Sequence, residues 1–230
     1  KLILTLVRDR MGEKPLYYGW HQKTLMFASE LKSMKRHPDW NAVIDRNSLS
    51  GLLKYNYISA PSTIYSGVNK LEPGYLISFD LSNNNCQQHK EQWFSYASLV
   101  NNSKSEIYTG GFIDATNTLD ELLNETMKTQ GVADVPLGVF LSGGLDSALI
   151  ASIMQSQSDV PIDTFTMGYE NTDYDESAQA RKYSKYLGTN HTEMIVTSED
   201  ALSVIPGLGN IFDEPFADAS QIPTLLVSSL

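Results

Sequence analysis

The segment Gly138–Ser152, "GVFLSGGLDSALIAS", holds the residues best suited to chemistry. An apolar run leads into the turn Ser142–Ser147, and a second apolar run with helical spacing follows it. Because Gly143 and Gly144 lack a Cβ, they can take positive φ and let their amides approach an oxyanion closely. The helix that follows points its partly positive end at the same place. The spacing therefore predicts a phosphate-binding turn between a strand and a helix.

Asp146 narrows the kind of ligand that this turn suits. Its carboxylate would repel a bare phosphate, but Mg²⁺ favours carboxylates together with phosphate oxygens. A Walker loop is excluded because the chain has no Gly-Lys-Ser/Thr, and "GLGNIF" at Gly207 lacks the last glycine of a dinucleotide fingerprint. Local physics leaves one alternative, an ordinary strand-to-helix turn in which Asp146 and Ser147 act as caps.

The second half of the sequence predicts the elements that position this turn. A helix with Leu119, Leu122, Leu123 and Met127 on one face precedes the strand "LGVFL". After this strand the sequence predicts, in order, a helix from about Ser147, the strand "IDTFTM", the helix "DESAQARKYSKYLG" that ends at Gly188, and the strand "TEMIV". Strands that alternate with helices predict a parallel sheet. Ligands bind beyond the carboxyl ends of such strands, which is where the turn lies.

The first half of the sequence has a different pattern, in which short apolar segments alternate with turn residues. The segments "LILTLV", "LYYGW" and "LMFAS", separated by turn residues, predict consecutive hairpins of an antiparallel sheet. A helix is expected around "DRNSLSGLLKYNYI", with Leu49, Leu52 and Leu53 on one face, and a further strand at 75–79. "NNSKSE", residues 101–106, predicts a linker. We place the domain boundary at residue 108, giving domains 1–108 and 109–230.

Charge supports that boundary and restricts the partners. Residues 1–108 hold 13 basic and 9 acidic side chains, whereas residues 109–230 hold 4 and 18. The net charge of −10 argues against a nucleic-acid partner. No run of eighteen apolar residues indicates a membrane span. A single cysteine, Cys86, excludes an internal disulfide and suits the cytoplasm, where we expect the protein.

Stretches in both halves of the chain carry a resemblance to known families. "SGGLDS" resembles the pyrophosphate-binding loop of N-type ATP pyrophosphatases, and "DVPLGVFLSGGLDSALIAS", "FTMGYENTDYDESAQARKYSKYLGTNHTEMIV" and "DEPFADASQIPT" resemble the asparagine synthetase (glutamine-hydrolysing) family. "RDRMGEKPLYYG" with "FASELKSM" is similar to the late part of class II, N-terminal-nucleophile glutaminases. The resemblance implies an α+β glutaminase part with antiparallel sheets, followed by an α/β, Rossmann-like ATP pyrophosphatase domain with a parallel sheet.

This resemblance also implies a reaction. ATP and Mg²⁺ would adenylate the side-chain carboxyl of aspartate with release of pyrophosphate, and ammonia from glutamine would form the amide. The partners would be these small molecules, and a homo-oligomer is possible. One alternative is a relative that amidates another carboxylate, such as a uronic acid of a surface polysaccharide, or that closes a ring. Another is a non-catalytic binding module.

The resemblance assigns roles to individual residues. Those expected to bind ATP or pyrophosphate are Leu141, Ser142, Gly143, Gly144, Leu145, Asp146, Ser147 and Met167. Asp146 and Asp175 are expected to hold Mg²⁺, with Asp173 as a rival for the second position. Asp175 also suits the N-cap of the helix that follows. An acidic cluster of Asp213, Glu214 and Asp218 is expected near the synthetase pocket, or as a solvated turn.

Other polar residues have structural interpretations. Arg8 and Asp9 are expected to form an ion pair that braces the "RMGEKP" turn, where Gly12 allows the reversal and Pro15 fixes the next strand. The family's glutaminase nucleophile is a cysteine at the start of the mature chain, so Cys86 is not expected to be catalytic. The chain opens without Met and ends before the family's second acidic loop. We therefore expect a segment of a longer protein, inactive on its own.

Overall fold

The computed structural model describes residues 2–41, 43–82, 87–170 and 175–230, so Cys86 and Asp173 lie outside the described residues. The chain forms two compact units. The first unit comprises Lys1–Ile107 and Gly207–Asp218, and the second comprises Tyr108–Pro206 and Ala219–Leu230. The structure thus groups the segment Gly207–Asp218 with the first unit, and the two-domain assignment from sequence stays a prediction.

The first unit contains two antiparallel sheets of three strands, in the orders β1-β5-β6 and β3-β2-β4. Its elements are β1 (Ile3–Val7), β2 (Tyr17–His21), β3 (Thr24–Ala28), α1 (Leu31–Met34), α2 (Arg46–Tyr55), β4 (Val68–Lys70), β5 (Tyr75–Asp80), β6 (Gln88–Gln92) and α3 (Tyr96–Ser103). The predicted hairpin of β2 and β3 is confirmed. The prediction that β1 continues the same series is wrong, because β1 pairs with β5, with Ile3 opposite Asp80. Residues 8–16 form a turn too long for a tight hairpin.

That turn is braced by charged side chains, but the predicted ion pair between Arg8 and Asp9 is wrong. The Arg8 guanidinium donates to three backbone carbonyls, at 2.6 Å to Leu71, 2.8 Å to Gly12 and 3.1 Å to Lys14. The Asp9 carboxylate accepts from backbone amides of the turn, at 3.2 Å from Met11, 2.9 Å from Glu13 and 3.1 Å from Lys14. Each charged group satisfies backbone groups that the turn cannot pair by itself.

Replacing Arg8 by Met is expected to lower the free energy of unfolding of the first unit by about 2 kcal/mol, because three carbonyls lose a charged donor. Urea denaturation followed by fluorescence measures the change. Arg36→Met is the matched control, since Arg36 is exposed; its effect should stay within about 0.5 kcal/mol. Equal effects of the two substitutions would contradict the bracing role.

Two hydrophobic clusters form the core of the first unit. One contains Leu6, Tyr18, Leu71, Ile77 and Phe79, and the other contains Tyr17, Met26, Leu31, Met34 and Val68. Alternate residues of β5 point inward, so Ile77 and Phe79 are fully buried. The predicted α2 is confirmed, but two of its three leucines, Leu49 and Leu53, are exposed.

The second unit is built on a parallel sheet of order β7-β8-β9. Its elements are α4 (Phe112–Gln130), β7 (Gly138–Phe140), α5 (Leu145–Ser156), β8 (Asp163–Tyr169), α6 (Ser177–Leu187), β9 (Asn190–Val196), α7 (Ser198–Val204) and α9 (Gln221–Val227). The short helix α8 (Leu208–Ile211), between α7 and α9 in sequence, belongs to the first unit. The predicted alternation of strands and helices is confirmed. Gly188 ends α6 with φ of 75°, as predicted.

The predicted linker differs from the structure. Residues 101–103 are the last residues of helix α3 and not part of a linker. The helix is capped at its start by the Ser95 hydroxyl, which accepts a hydrogen bond from the Ser98 amide at 3.2 Å. The chain as a whole combines antiparallel sheets with a parallel sheet in a mixed α/β architecture. In the described part of the chain, no helix is both long and apolar enough to span a bilayer.

Candidate functional site

The turn Ser142–Gly144 lies at the carboxyl end of β7, and α5 begins directly after it. Leu141, which precedes the turn, is 2% exposed and belongs to the core of the second unit with Val139, Ala151 and Ala180. Its amide donates to the Phe165 carbonyl at 2.8 Å, and the Thr166 hydroxyl donates to its carbonyl. The turn therefore starts from a fixed point of the sheet.

Hydrogen bonds within the turn hold its shape. The Ser142 amide donates to the Ser147 hydroxyl at 3.0 Å, the two hydroxyls lie 2.8 Å apart, and the Gly144 amide donates to the Ser142 hydroxyl at 3.1 Å. The Gly143 amide donates to a carboxylate oxygen of Glu176, on the loop before α6, at 3.1 Å. The turn thus presents its amides and hydroxyls together.

Space, rather than dihedral angle, favours a glycine at position 143 of the turn. Gly143 and Gly144 are not among the described glycines with positive φ, so that expectation is wrong. A Cβ on Gly143 would lie 3.1 Å from the Cβ of Glu176 and 3.4 Å from that of Gln179. A side chain at Gly143 would therefore require α6 and its preceding loop to move by a few tenths of an ångström.

The first turn of α5 provides free donors beside a free carboxylate. Within the described residues, the amides of Leu145, Asp146 and Ser147 have no hydrogen-bond acceptor, as expected at a helix N-terminus. The Asp146 side chain is exposed and has no partner in that part of the chain. Such donors fit an oxyanion, and the carboxylate fits a divalent cation that accompanies it.

A cation at Asp146 would need ligands besides protein side chains. The described residues contain no group of three or more His, Cys, Asp or Glu able to hold a metal ion. Mg²⁺ commonly takes only one or two carboxylates and completes its shell with phosphate oxygens and water. The residues present therefore fit a cation that arrives with a phosphate chain.

A cavity of about 310 Å³ adjoins the turn on the second unit. It is lined by Phe140, Leu141, Ser142, Phe165, Thr166, Met167, Tyr169, Glu176, Pro223, Thr224 and Val227. Met167 and Leu141, both expected at the nucleotide, lie in its wall, whereas the side chain of Leu145 is 78% exposed. Most of the wall is apolar, and Glu176 is its single charged residue among those described.

Asp175 binds backbone and hydroxyl groups of α6. Its carboxylate accepts from the Ser177 amide at 3.0 Å and from the Ser177 hydroxyl at 3.1 Å. These two hydrogen bonds hold the pKa of Asp175 below its usual value, so the carboxylate stays ionised. Asp175 pairs the first amide of α6, but the N-cap position itself is Glu176, without a side-chain cap hydrogen bond, so the interpretation of Asp175 as the N-cap is not confirmed. Its role at Mg²⁺ stays a prediction.

Glu214 of the predicted acidic cluster belongs to the first unit. Its side chain is 10% exposed and forms an ion pair with Lys70 at 2.7 Å. It also accepts from the Ile64 amide at 2.6 Å and from the Tyr17 hydroxyl at 3.4 Å. Burial, together with the charge of Glu214, raises the pKa of Tyr17 far above its usual value.

Asp213 also binds first-unit groups, so the interpretation of this pair as a solvated turn is wrong, and its position near the synthetase pocket stays a prediction. Its carboxylate accepts from the amides of Leu31 at 2.6 Å and Lys32 at 2.9 Å. Helix α1 lacks a side-chain cap of its own at Glu30, and Asp213 takes that role.

Sequence reasoning missed several residues of the cavity. Glu176 directly follows Asp175, so its position in "DYDES" was visible, but nothing local shows that it contacts Gly143. Thr166 is itself a buried residue of β8, in phase with Thr164, so the sequence indicates only a core position. Pro223, Thr224 and Val227 come from α9, far along the chain, and only the fold brings them to the cavity.

Comparison with known proteins gives two family matches. Residues 118–230 match the asparagine synthase family, and residues 1–93 match the glutamine amidotransferase domain family. The chain is 30% identical to "Putative asparagine synthetase [glutamine-hydrolyzing] 2" of Methanocaldococcus jannaschii, over 97% of the chain and 42% of that protein. It is 29% identical to "Asparagine synthetase [glutamine-hydrolyzing] 3" of Bacillus subtilis, over 86% of the chain and 33% of that protein.

A further relative has a different name. The chain is 30% identical to "Amidase chry2" of Gibberella zeae, over 86% of the chain and 30% of that protein. The chain therefore spans less than half the length of each of these three relatives.

Proposed function

We propose, because the chain belongs to the asparagine synthetase (glutamine-hydrolysing) family, that the protein forms a carboxamide from a carboxylate, ATP and glutamine-derived ammonia. One observation carries the proposal for the second unit. The first turn of α5, which directly follows the turn Ser142–Gly144, offers unpaired amides beside the free carboxylate of Asp146, at the carboxyl end of a parallel strand. Sites for phosphorylated ligands occur at such positions.

A carboxylate becomes an acceptor for ammonia only when one of its oxygens can leave, and ATP supplies that leaving group by adenylation. Ser142, Gly143, Gly144 and Ser147 would hold the β and γ phosphates. The free amides of α5 would stabilise the charge that develops as pyrophosphate departs. Asp146 would hold Mg²⁺, whose charge offsets that of the phosphates.

The cavity beside the turn would receive the adenosine part. Its apolar wall includes Phe140, Phe165 and Met167, which suits a flat base. We assign the adenine side to the backbone at Met167. Leu141 already donates its amide to Phe165 and receives the Thr166 hydroxyl, so we assign it chiefly to holding the turn in place.

The first unit would belong to the part of the protein that releases ammonia from glutamine. Its match to the glutamine amidotransferase domain family supports this role. We assign no catalytic residue there. Arg8 and Asp9 brace a turn through backbone groups, so their contacts are structural.

The acceptor that we propose is aspartate, on the strength of the asparagine synthetases among the relatives. A second candidate is another carboxylate, such as a uronic acid. The relative named as an amidase favours testing it, because similar chains carry names other than asparagine synthetase.

One experiment separates these functions. The full-length protein is given ATP, Mg²⁺ and glutamine with either aspartate or a uronic acid, and pyrophosphate release is measured. Release that depends on aspartate supports asparagine synthesis, and release that depends only on the uronic acid supports the second candidate. If no carboxylate elicits pyrophosphate while glutamine still binds, a non-catalytic binding module replaces both proposals.

A further inference from the structure

Glu176 and Asp175, which are adjacent in the chain, have different contacts. The Asp175 carboxylate accepts two hydrogen bonds from Ser177, the first residue of α6, and a backbone hydrogen bond from Tyr169. The Glu176 carboxylate instead accepts from the amide of Gly143, inside the turn, at 3.1 Å. An amide of the phosphate-binding turn is therefore held by a protein carboxylate, in the place where a phosphate oxygen would be bound.

The charge around the turn is negative. Glu176 is the single charged residue among the described residues that line the cavity, and Asp146 adds a second exposed carboxylate at the start of α5. The nearby Arg181 is engaged by Glu193 through two hydrogen bonds, at 2.9 Å and 2.6 Å. The described cavity wall thus offers a bare polyphosphate no lysine or arginine to offset its charge.

We propose that Glu176 is a specificity-determining residue, which makes the turn accept pyrophosphate as its Mg²⁺ complex and reject the metal-free anion. This inference rests on the proposed function. The carboxylate competes with a phosphate oxygen for the Gly143 amide and repels the anion. When the anion carries Mg²⁺, its charge is lowered and the same carboxylate no longer repels it to the same extent.

The test is calorimetric titration of the full-length protein with inorganic pyrophosphate, with Mg²⁺ and with a chelator in its place. Glu176→Gln keeps the shape of the side chain and an oxygen that can accept from Gly143, but removes the charge. It is expected to bind metal-free pyrophosphate about tenfold more tightly than the wild type, the effect of one near-surface charge at contact. The ratio of affinities with and without Mg²⁺ should fall by the same factor.

Two further variants make the result decisive. Glu125→Gln, at an exposed position of α4, is the matched control and should leave both affinities unchanged. Glu176→Ala removes charge and hydrogen bond together and should also strengthen metal-free binding. If Glu176→Gln binds metal-free pyrophosphate no better than the wild type, or if Glu176→Ala weakens binding with and without Mg²⁺, Glu176 only braces the turn and the proposal is overturned.

Failure of the proposed function would look different. If the wild type and every variant bind no pyrophosphate with or without Mg²⁺, the turn is not a pyrophosphate site, and the role of Glu176 is overturned with it. If the wild type binds pyrophosphate equally well with and without Mg²⁺, the site stands and the specificity assigned to Glu176 is wrong.

Discussion

Replacing Asp146 by Asn in the full-length protein is expected to reduce acceptor-dependent pyrophosphate release at least about 100-fold, while glutamine hydrolysis persists. The substitution removes the negative charge that would hold Mg²⁺ and changes little else, because the side chain is exposed and has no partner among the described residues. The two activities are expected to separate because Asp146 belongs to the second unit, whereas residues 1–93, which match the glutamine amidotransferase domain family, belong to the first. Coupled assays for pyrophosphate and for glutamate measure them independently.

Asp159→Asn is the control for this prediction. Asp159 is also exposed and lies in the second unit, but it does not line the cavity beside the turn. Its pyrophosphate release should match the wild type. Release near the wild-type level in the Asp146→Asn variant would show that Asp146 does not hold the metal ion, even if the turn binds phosphate.

Replacing Glu214 by Ala is expected to lower the free energy of unfolding of the first unit by about 3 kcal/mol, the size found when one partner of a buried ion pair is removed. Lys70 would keep its charge with its side chain only 16% exposed, and the Ile64 amide would lose its acceptor. The Lys70 ammonium also donates to the Ile58 carbonyl at 2.6 Å, so it cannot easily move into solvent. Urea denaturation measures the loss.

A double variant tests whether the loss of stability in Glu214→Ala comes from the unpaired charge of Lys70. Glu214→Ala with Lys70→Met removes both charges, so it should recover part of the stability lost in Glu214→Ala. An equal or larger loss in the double variant would mean that the hydrogen bonds of Glu214 matter more than its pairing with Lys70.

Much of the secondary structure of the second unit could be predicted from sequence because the residues that determine each element are neighbours in the chain. The apolar run ending at Leu141, the glycines of the turn and the helical spacing after Asp146 follow one another directly, and the structure has β7, the turn and α5 in that order. Gly188 also acts within its own helix, where only the left-handed conformation of one residue matters. Such features depend on neighbours in the chain.

The sequence-based predictions that were wrong concern contacts between residues that are far apart in the chain. β1 pairs with β5, although the nearest strand in sequence is β2, because pairing depends on which faces are buried rather than on order in the chain. Glu214 binds Lys70 and Ile64, more than 140 residues earlier. A carboxylate in "DEPFAD" gives no indication of a distant partner, so a solvated turn was as consistent with the sequence as these buried contacts.

The segment Gly207–Asp218 shows that domain composition, like strand pairing, depends on contacts between distant parts of the chain that the sequence does not reveal. The match to the asparagine synthase family runs without interruption over residues 118–230. Residues 207–218 nevertheless belong to the first compact unit, where Asp213 caps α1 and Glu214 pairs with Lys70. A boundary drawn from sequence composition at residue 108 cannot show that the chain later returns to the first unit.

We propose that the turn at Ser142–Ser147 holds the pyrophosphate that leaves ATP. The nucleotide product of the full-length protein, formed from ATP, Mg²⁺, glutamine and the acceptor that elicits turnover, tests this role most directly. We expect AMP and pyrophosphate in amounts equal to the amide formed. ADP and inorganic phosphate in their place would contradict this role of the turn, because the bond broken would then lie between the β and γ phosphates.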